Sequence, residues 1–257
     1  MSYSFRSLHA ILLFGTLLFA LTTPVSAAQP QILFDQGHGQ MFTIAGKGDL
    51  DLSTFARLFD EAGRGVPHAQ SAPLDAAALS TARALVISGP FSPYSDAEVE
   101  TLFKFVEKGG RLAIMLHIGP PAARLLERLG VNVANGVVRE DEALLDGNPL
   151  NFSVAQLGTH PLFSAIEWFD LYGAWALLPV GDNTRAEAET GPQAWVDLNR
   201  SGQFDDQDVR QSFAVVVSGR IGAGEFLVFG DDAIFQNRYL TGNNLQLARN
   251  LVDWLTK

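Results

Sequence analysis

Apolar residues in this chain gather into short runs that stop abruptly at polar or glycine-rich turns. Ile32-Leu33-Phe34 ends at Asp35-Gln36-Gly37-His38-Gly39, and Leu85-Val86-Ile87 ends at Ser88-Gly89-Pro90. Leu112 to Leu116 runs into His117-Ile118-Gly119, and Phe226 to Phe229 into Gly230-Asp231-Asp232. Runs of this length between turn residues predict buried strands. Helical spacing lies between them. Ser53 to Gly63 puts Phe55, Leu58 and Phe59 on one face, and a helical segment is expected over 75–83 after an extended piece near 66–69. Ser95 and Glu98 form a capping box ahead of the stripe Val99, Leu102, Phe103 and Val106, which Gly109-Gly110 stop. Pro120-Pro121 open a further helix that ends at Gly130.

Residues 31–130 thus read as strand, helix, strand, strand, helix, strand, helix, the alternation of an α/β layer on a mostly parallel sheet. From about 131 to 224 the helical spacing fades. Strand-like runs at 174–178, 193–198 and 212–218 stand between turns, which predicts a β-rich, antiparallel and partly looped insertion or sheet extension. A strand over 225–229 and an amphipathic helix over 245–255 return to the first texture. Residues 28–257 are expected to form one domain.

The strand ends carry the candidate chemistry. Ligands in open α/β sheets sit at the carboxyl ends of parallel strands, so Asp35, His38, Ser88, His117 and Asp231 are expected to share one ligand-binding rim. Asp35, His38, His117 and Asp231 are also the residue types of a hydrolytic metal site or an acid–base pair. None stands in a recognisable ligand spacing, and no catalytic residue is assigned. The chain lacks a Gly-x-Ser-x-Gly elbow, and Gly46-Lys47-Gly48 lacks the rest of a phosphate loop. His68 and His160 read as loop histidines.

A second motif lies inside the β-rich region, at Asp197-Leu-Asn-Arg-Ser-Gly-Gln-Phe-Asp-Asp-Gln-Asp208. Oxygen side chains fall at loop positions 1, 3, 5 and 12, with glycine at 6 and an apolar residue at 8. That spacing wraps a loop around calcium, with Asp197, Asn199, Ser201, the Gln203 carbonyl and Asp208 as ligands in a structural role. The flanks look like strands rather than helices, and position 12 is Asp rather than Glu. A polar hairpin turn is the competing reading.

Composition narrows the classes. Of the 257 residues, 47% are hydrophobic and 18% charged, enough for one substantial core. Arg6, the apolar run Ala10–Leu21 and Val25-Ser26-Ala27 have the layout of a secretory signal peptide over 1–27, so the mature protein is expected to be exported, periplasmic or secreted, and not an integral membrane protein. The net charge of −10 without a Lys/Arg cluster argues against nucleic acid. Cysteine is absent, which removes disulfides and any thiolate nucleophile.

The segments Leu85–Pro90, Ser95–Val99 and Phe105–Leu112, with Gly230-Asp231, Asn237–Leu240, Asn243-Asn244 and Asn250–Leu255, resemble the exported domain of unknown function 4350 family. That family lies within the class I glutamine-amidotransferase-like superfamily. The resemblance is strongest at 31–40, 84–130 and 224–256, and it implies a flavodoxin-like three-layer α/β sandwich. The catalytic branch of that superfamily carries a cysteine at a tight strand–helix turn, where this chain has His117-Ile118-Gly119. The expectation is therefore a non-catalytic binding or scaffold protein that recognises a small ligand, a saccharide or an envelope protein at the rim. A hydrolase built on the rim carboxylates and histidines, and a structural component of an envelope complex, are the alternatives.

Overall fold

The computed structural model describes residues 31–257 together with Met1, so the predicted signal peptide falls on residues outside those described. The chain begins with β1 (Gln31–Asp35), α1 (Ser53–Glu61), β2 (His68–Gln70), β3 (Ala82–Ser88), α2 (Asp96–Glu107), β4 (Arg111–Met115) and α3 (Ala123–Arg128). A run of strands follows: β5 (Val131–Arg139), β6 (Leu144–Leu145), β7 (Asn148–Val154), β8 (Gln156–Leu157), β9 (Phe169–Tyr172) and β10 (Trp175–Pro179). It continues through β11 (Thr184–Glu189), β12 (Trp195–Val196), β13 (Val209–Arg210) and β14 (Ala214–Ile221), before β15 (Gly224–Phe229) and α4 (Gly242–Leu255) close the chain. No helix among the described residues is long and apolar enough to cross a membrane.

One sheet of 12 strands dominates, in the order β13-β12-β5-β10-β14-β15-β4-β3-β1-β2, with β11 on β14 and β8 on β11. Four of its ladders are parallel, joining β15, β4, β3, β1 and β2. The other seven are antiparallel. A separate antiparallel sheet of three strands holds β6, β7 and β9. The expected flavodoxin-like sandwich with a mostly parallel sheet is therefore corrected. The molecule is sheet-rich and mixed, and its antiparallel ladders outnumber the parallel ones.

The cause lies in the connections. A parallel crossover needs a dozen or more residues, usually a helix, whereas antiparallel neighbours need only a short turn. Helices separate most of the strands up to residue 130, but among the described residues no α-helix interrupts the chain from β5 to β15. Residues 131–224 contribute β5, β8, β10, β11, β12, β13 and β14 to the same large sheet, and β14 pairs directly with β15 along Val216–Ile221. The helical segment expected over 75–83 is also corrected. Residues 76–81 make turns, and β3 already starts at Ala82.

Strand alternation feeds two cores, one on each face of the parallel block. Ile32, Phe34, Val86, Ala113 and Phe229 point to the side covered by α1, α4 and the small sheet, where Phe55, Phe59, Phe152, Phe235 and Leu251 are buried. Leu33, Leu85, Ile87, Ile114 and Val228 point to the other side, under Leu102 and Val106 of α2 and Leu125 and Leu126 of α3. The capping box is present: Ser95 Oγ accepts the Glu98 N–H, and Glu98 accepts the Ser95 N–H. Ser95→Ala is expected to cost about 1 kcal/mol, read from the urea unfolding midpoint.

Candidate functional site

Asp35, Ser88, His117 and Asp231 stand at or just beyond the carboxyl ends of β1, β3, β4 and β15, which are neighbours in the sheet. The structure divides the rim into two clusters with different chemistry.

The first is centred on Asp35, which is 3% exposed. Its carboxylate accepts from His38 Nδ1 at 2.9 Å, Gln40 Nε2 at 2.7 Å, Tyr94 OH at 2.6 Å and the Gly37 N–H at 3.1 Å. The other ring nitrogen of His38 lies 3.2 Å from Glu98 Oε1, and Tyr94 stacks on the imidazole with centroids 3.9 Å apart. Burial works against a charged His38, but the hydrogen bond and charge of Asp35, with Glu98 beyond, raise its pKa above the ordinary histidine value. Glu98 is drawn down despite its partial burial, chiefly by its hydrogen bonds from Ser95. Burial and then the Asp35 charge push the Tyr94 phenol well up. Both nitrogens of His38 and both oxygens of Asp35 are thus used inside the protein. This cluster is closed to a substrate.

The second cluster is open. His117 Nδ1 lies 3.0 Å from Asp232 Oδ1, with the imidazole partly exposed and Asp232 buried. The Asp232 bond raises the His117 pKa above the usual value, against the effect of burial. Phe42 and Phe91 flank the ring at 5.2 and 5.4 Å between centroids. Trp175 fixes the backbone below by donating its indole N–H to the His117 carbonyl at 3.1 Å. Gly89, at φ +55°, makes the close packing possible, because a Cβ there would sit 2.6 Å from Asp232 Oδ2. His117 Nε2 has no hydrogen-bond partner among the described residues.

Asp231 sits beneath this cluster, buried. Its oxygens accept the Tyr172 N–H at 2.6 Å and the Ala233 N–H at 2.8 Å. Burial, and then the neighbouring Asp232, push its pKa up to about 7. Tyr172 stacks on Tyr239 at 3.9 Å. Ser88 is 5% exposed, and its Oγ and Asp232 Oδ2 are buried without a partner. Two backbone hydrogen bonds join the clusters, the His38 carbonyl accepting from the N–H groups of Phe91 and Ser92 at 2.9 Å each.

Residue-by-residue reading of the strand ends misses Gln40, Tyr94 and Glu98, and the flanking Phe42 and Phe91. Glu98 is visible in the sequence as a cap residue, but nothing marks its second role against His38. The sequence places Asp231-Asp232 together at a strand end suited to a ligand, but the rim assignment takes Asp231 alone. A cavity of about 560 Å³ lies at the opposite, amino end of β3 and β4, lined by Leu79, Ala82, Arg83, Lys104, Phe105 and Lys108, away from every predicted site residue.

The residues of the predicted calcium loop lie in the connection of the β12–β13 hairpin, at the far edge of the large sheet. Asp197 is 4% exposed, while Asn199, Ser201 and Gln203 are exposed and Asp208 is half-buried. Asp208 accepts the Leu198 and Asp205 N–H groups at 3.0 Å each. Among the described residues no three His, Asp or Glu side chains form a ready-made metal group.

A mixed sheet with helices on both faces and one histidine–carboxylate pair open at its strand ends is the class of protein that these features define. The chain belongs to the domain of unknown function family DUF4350, whose pattern it matches over residues 47–252. No curated protein matches it by sequence. Among solved structures it is similar to the mmIFT52 N-terminal domain, at 19% identity and a TM-score of 0.69, covering 88% of this chain and 98% of that one. It is also similar to a ThuA-like protein from Bacteroides uniformis ATCC 8492, at 11% identity and a TM-score of 0.55, covering 92% and 95%. A candidate GMP synthase component from Thermoplasma acidophilum matches at 10% identity and a TM-score of 0.51, covering 88% and 94%. At these identities the likeness is one of fold.

Proposed function

We propose that this chain is an exported, non-catalytic binding protein that recognises a polar ring ligand, of saccharide type, at the His117 rim. One observation carries the reading. Of the predicted rim groups, His117 alone offers an unused polar atom to solvent, and it does so between two phenyl rings. Aromatic faces pack on the apolar face of a ring ligand, while the imidazole offers a directional hydrogen bond, the usual division of labour in small-molecule sites. Asp35, His38 and Asp231 hold the scaffold and reach no ligand. The signal-like pattern over 1–27 supports export. Placement in the class I glutamine-amidotransferase-like superfamily belongs to the same proposal, with His117 where the catalytic branch has cysteine; the fold likeness to the Thermoplasma acidophilum protein supports it.

A hydrolase is the second reading, favoured by the Asp232–His117 pair, since a buried carboxylate on one ring nitrogen is how a catalytic imidazole is oriented. Ser88, the one hydroxyl among the predicted rim residues, is buried and offers it no exposed nucleophile.

The test is a calorimetric titration with a panel of neutral mono- and oligosaccharides, with Trp175 fluorescence as a second readout. His117→Ala is expected to weaken binding at least about tenfold, the worth of one well-made hydrogen bond to a partly charged group. Phe91→Ala is expected to weaken it further, with no turnover in either protein. Hydrolysis of a panel member that disappears in His117→Ala would overturn the binding reading in favour of the second one.

A further inference from the structure

We infer that the loop Asp197–Asp208 is a calcium site that braces the free edge of the sheet. This inference is independent of the rim. Its carrying observation is Asp197, 4% exposed, whose Oδ1 is buried with no hydrogen-bond partner. A buried carboxylate oxygen without a donor is costly, and nearly all such atoms in folded proteins are satisfied. The other oxygen, Oδ2, is doubly engaged, by Arg139 Nε and by the Gly202 N–H, both at 3.0 Å. The Gly202 bond aims the carboxylate into the loop. Arg139 therefore balances the charge on the oxygen already in use and leaves Oδ1 without a partner.

The remaining oxygens line the same concavity. Asn199 Oδ1 accepts the Ser201 N–H at 2.9 Å, Ser201 Oγ lies 2.7 Å from the Gln203 carbonyl, and Asn199 Nδ2 reaches Asp205 Oδ2 at 2.8 Å across the loop. Positions 3, 5, 7 and 9 of the loop are thus linked to one another, and position 1 is tied to the loop through the Gly202 N–H. Arg200 and Gly202 hold positive φ, 61° and 77°, which bends the backbone tightly enough to bring them together. The β12–β13 ladder, Trp195 to Arg210 and Val196 to Val209, ties the two loop ends together. Asp208 completes the set by turning from the Leu198 and Asp205 N–H groups to the ion.

The donor set selects calcium. All the donors are oxygen, which disfavours zinc, and a hairpin loop of carboxylate, amide, hydroxyl and carbonyl groups supplies the irregular, six-or-more-fold shell that calcium accepts and magnesium does not. With Asp at position 12 closing the shell less firmly than Glu, the expected Kd lies at about 10⁻⁴–10⁻³ M, the range of extracellular calcium modules.

The experiment titrates the purified chain with calcium chloride and with magnesium chloride by calorimetry, and follows the unfolding temperature in parallel. Terbium luminescence excited through Trp195, whose ring lies 5.8 Å from that of Phe204 within the loop, locates the ion. One calcium per chain, an unfolding temperature that rises with calcium and not with magnesium, and terbium emission lost in Trp195→Phe are expected. Asp197→Asn and, because Asp197 is buried and that variant can fail to fold, the exposed-site variant Asn199→Ala should each weaken calcium binding at least about tenfold, the effect of one lost ligand. No heat and no stabilisation up to about 10 mM calcium, well above that range, would overturn the inference. So would binding that both variants leave unchanged.

Discussion

Asp35→Ala is expected to destabilise the fold by about 3–5 kcal/mol, the effect of removing one partner from a buried charged network. The substitution withdraws four acceptor contacts at once. The Tyr94 hydroxyl and His38 Nδ1 lose their partner in a buried position, and the Gln40 amide and the Gly37 N–H lose theirs nearer the surface. His38 keeps Glu98 at 3.2 Å, but its charged form then has one carboxylate beside it in place of two. Asp35→Asn keeps the shape and one acceptor oxygen and is expected to cost less, about 1–3 kcal/mol. Urea unfolding of the three proteins gives the numbers directly. A loss under about 1 kcal/mol for the alanine variant would mean that water enters and replaces the carboxylate, and that the cluster is more open than its geometry indicates. The prediction also separates the two rim clusters, because His117→Ala strips the buried Asp232 carboxylate of one hydrogen bond rather than four and is expected to cost less, about 1–3 kcal/mol.

The contrast between those two histidines is where the sequence is least legible. Asp35, His38, His117 and Asp231 all follow apolar runs, and from the sequence they are equivalent strand-end polar residues. What divides them is contributed from elsewhere. Tyr94 and Glu98 arrive from the β3–α2 connection and the first turn of α2, and they close on His38. Asp232 closes on only one side of His117. Such partners are set by tertiary packing and leave no local pattern. The strands β1, β3, β4 and β15 are readable because each carries a continuous apolar run with buried residues on both faces, and the α2 start is readable because its cap is a local motif. Beyond residue 130 legibility falls. β11 has the sequence Thr-Arg-Ala-Glu-Ala-Glu and β7 is Asn-Pro-Leu-Asn-Phe-Ser-Val, with few apolar residues in register to betray a strand. Their place is fixed by pairing to β14 and β9 rather than by propensity. The expectation of a mostly parallel sheet fails there, because the family resemblance is strongest toward the two ends of the chain and says little about the middle.

The stability of this protein is expected to fall as the pH rises from about 4 to above 7, opposite to a protein dominated by paired carboxylates. Asp231 sets the direction. Its carboxyl is raised from an ordinary 3.8 to about 7. Between those values the folded chain holds a proton that the unfolded chain has released, so each step up in pH favours unfolding. Carried across the whole window, the displacement amounts to about 4 kcal/mol. His38 and His117 act in the same sense. Both are raised, so their contribution is complete below the ordinary histidine value of 6.5 and is lost as the pH climbs through their higher folded values. Glu98 and Glu225 are lowered, and their contribution disappears only on the acid side, as the pH falls below about 4.5. The optimum should therefore lie at mildly acidic pH. Urea midpoints measured from pH 4 to 9 check this, and Asp231→Asn serves as the control. That variant places an amide N–H against the Tyr172 or Ala233 N–H and is less stable throughout, but its slope between pH 4 and 7 should flatten. A wild-type profile that rises over that interval would mean that the two backbone N–H groups and the His117 charge keep Asp231 ionised in the fold. The same titration bears on the rim, because Asp231 gains a negative charge as the pH passes about 7, and His117, raised by Asp232, gives up its positive one above the ordinary histidine value. Ligand binding that depends on a charged imidazole would then weaken over the same interval in which the fold does, whereas binding through a neutral imidazole and the two phenyl rings would persist until the protein unfolds.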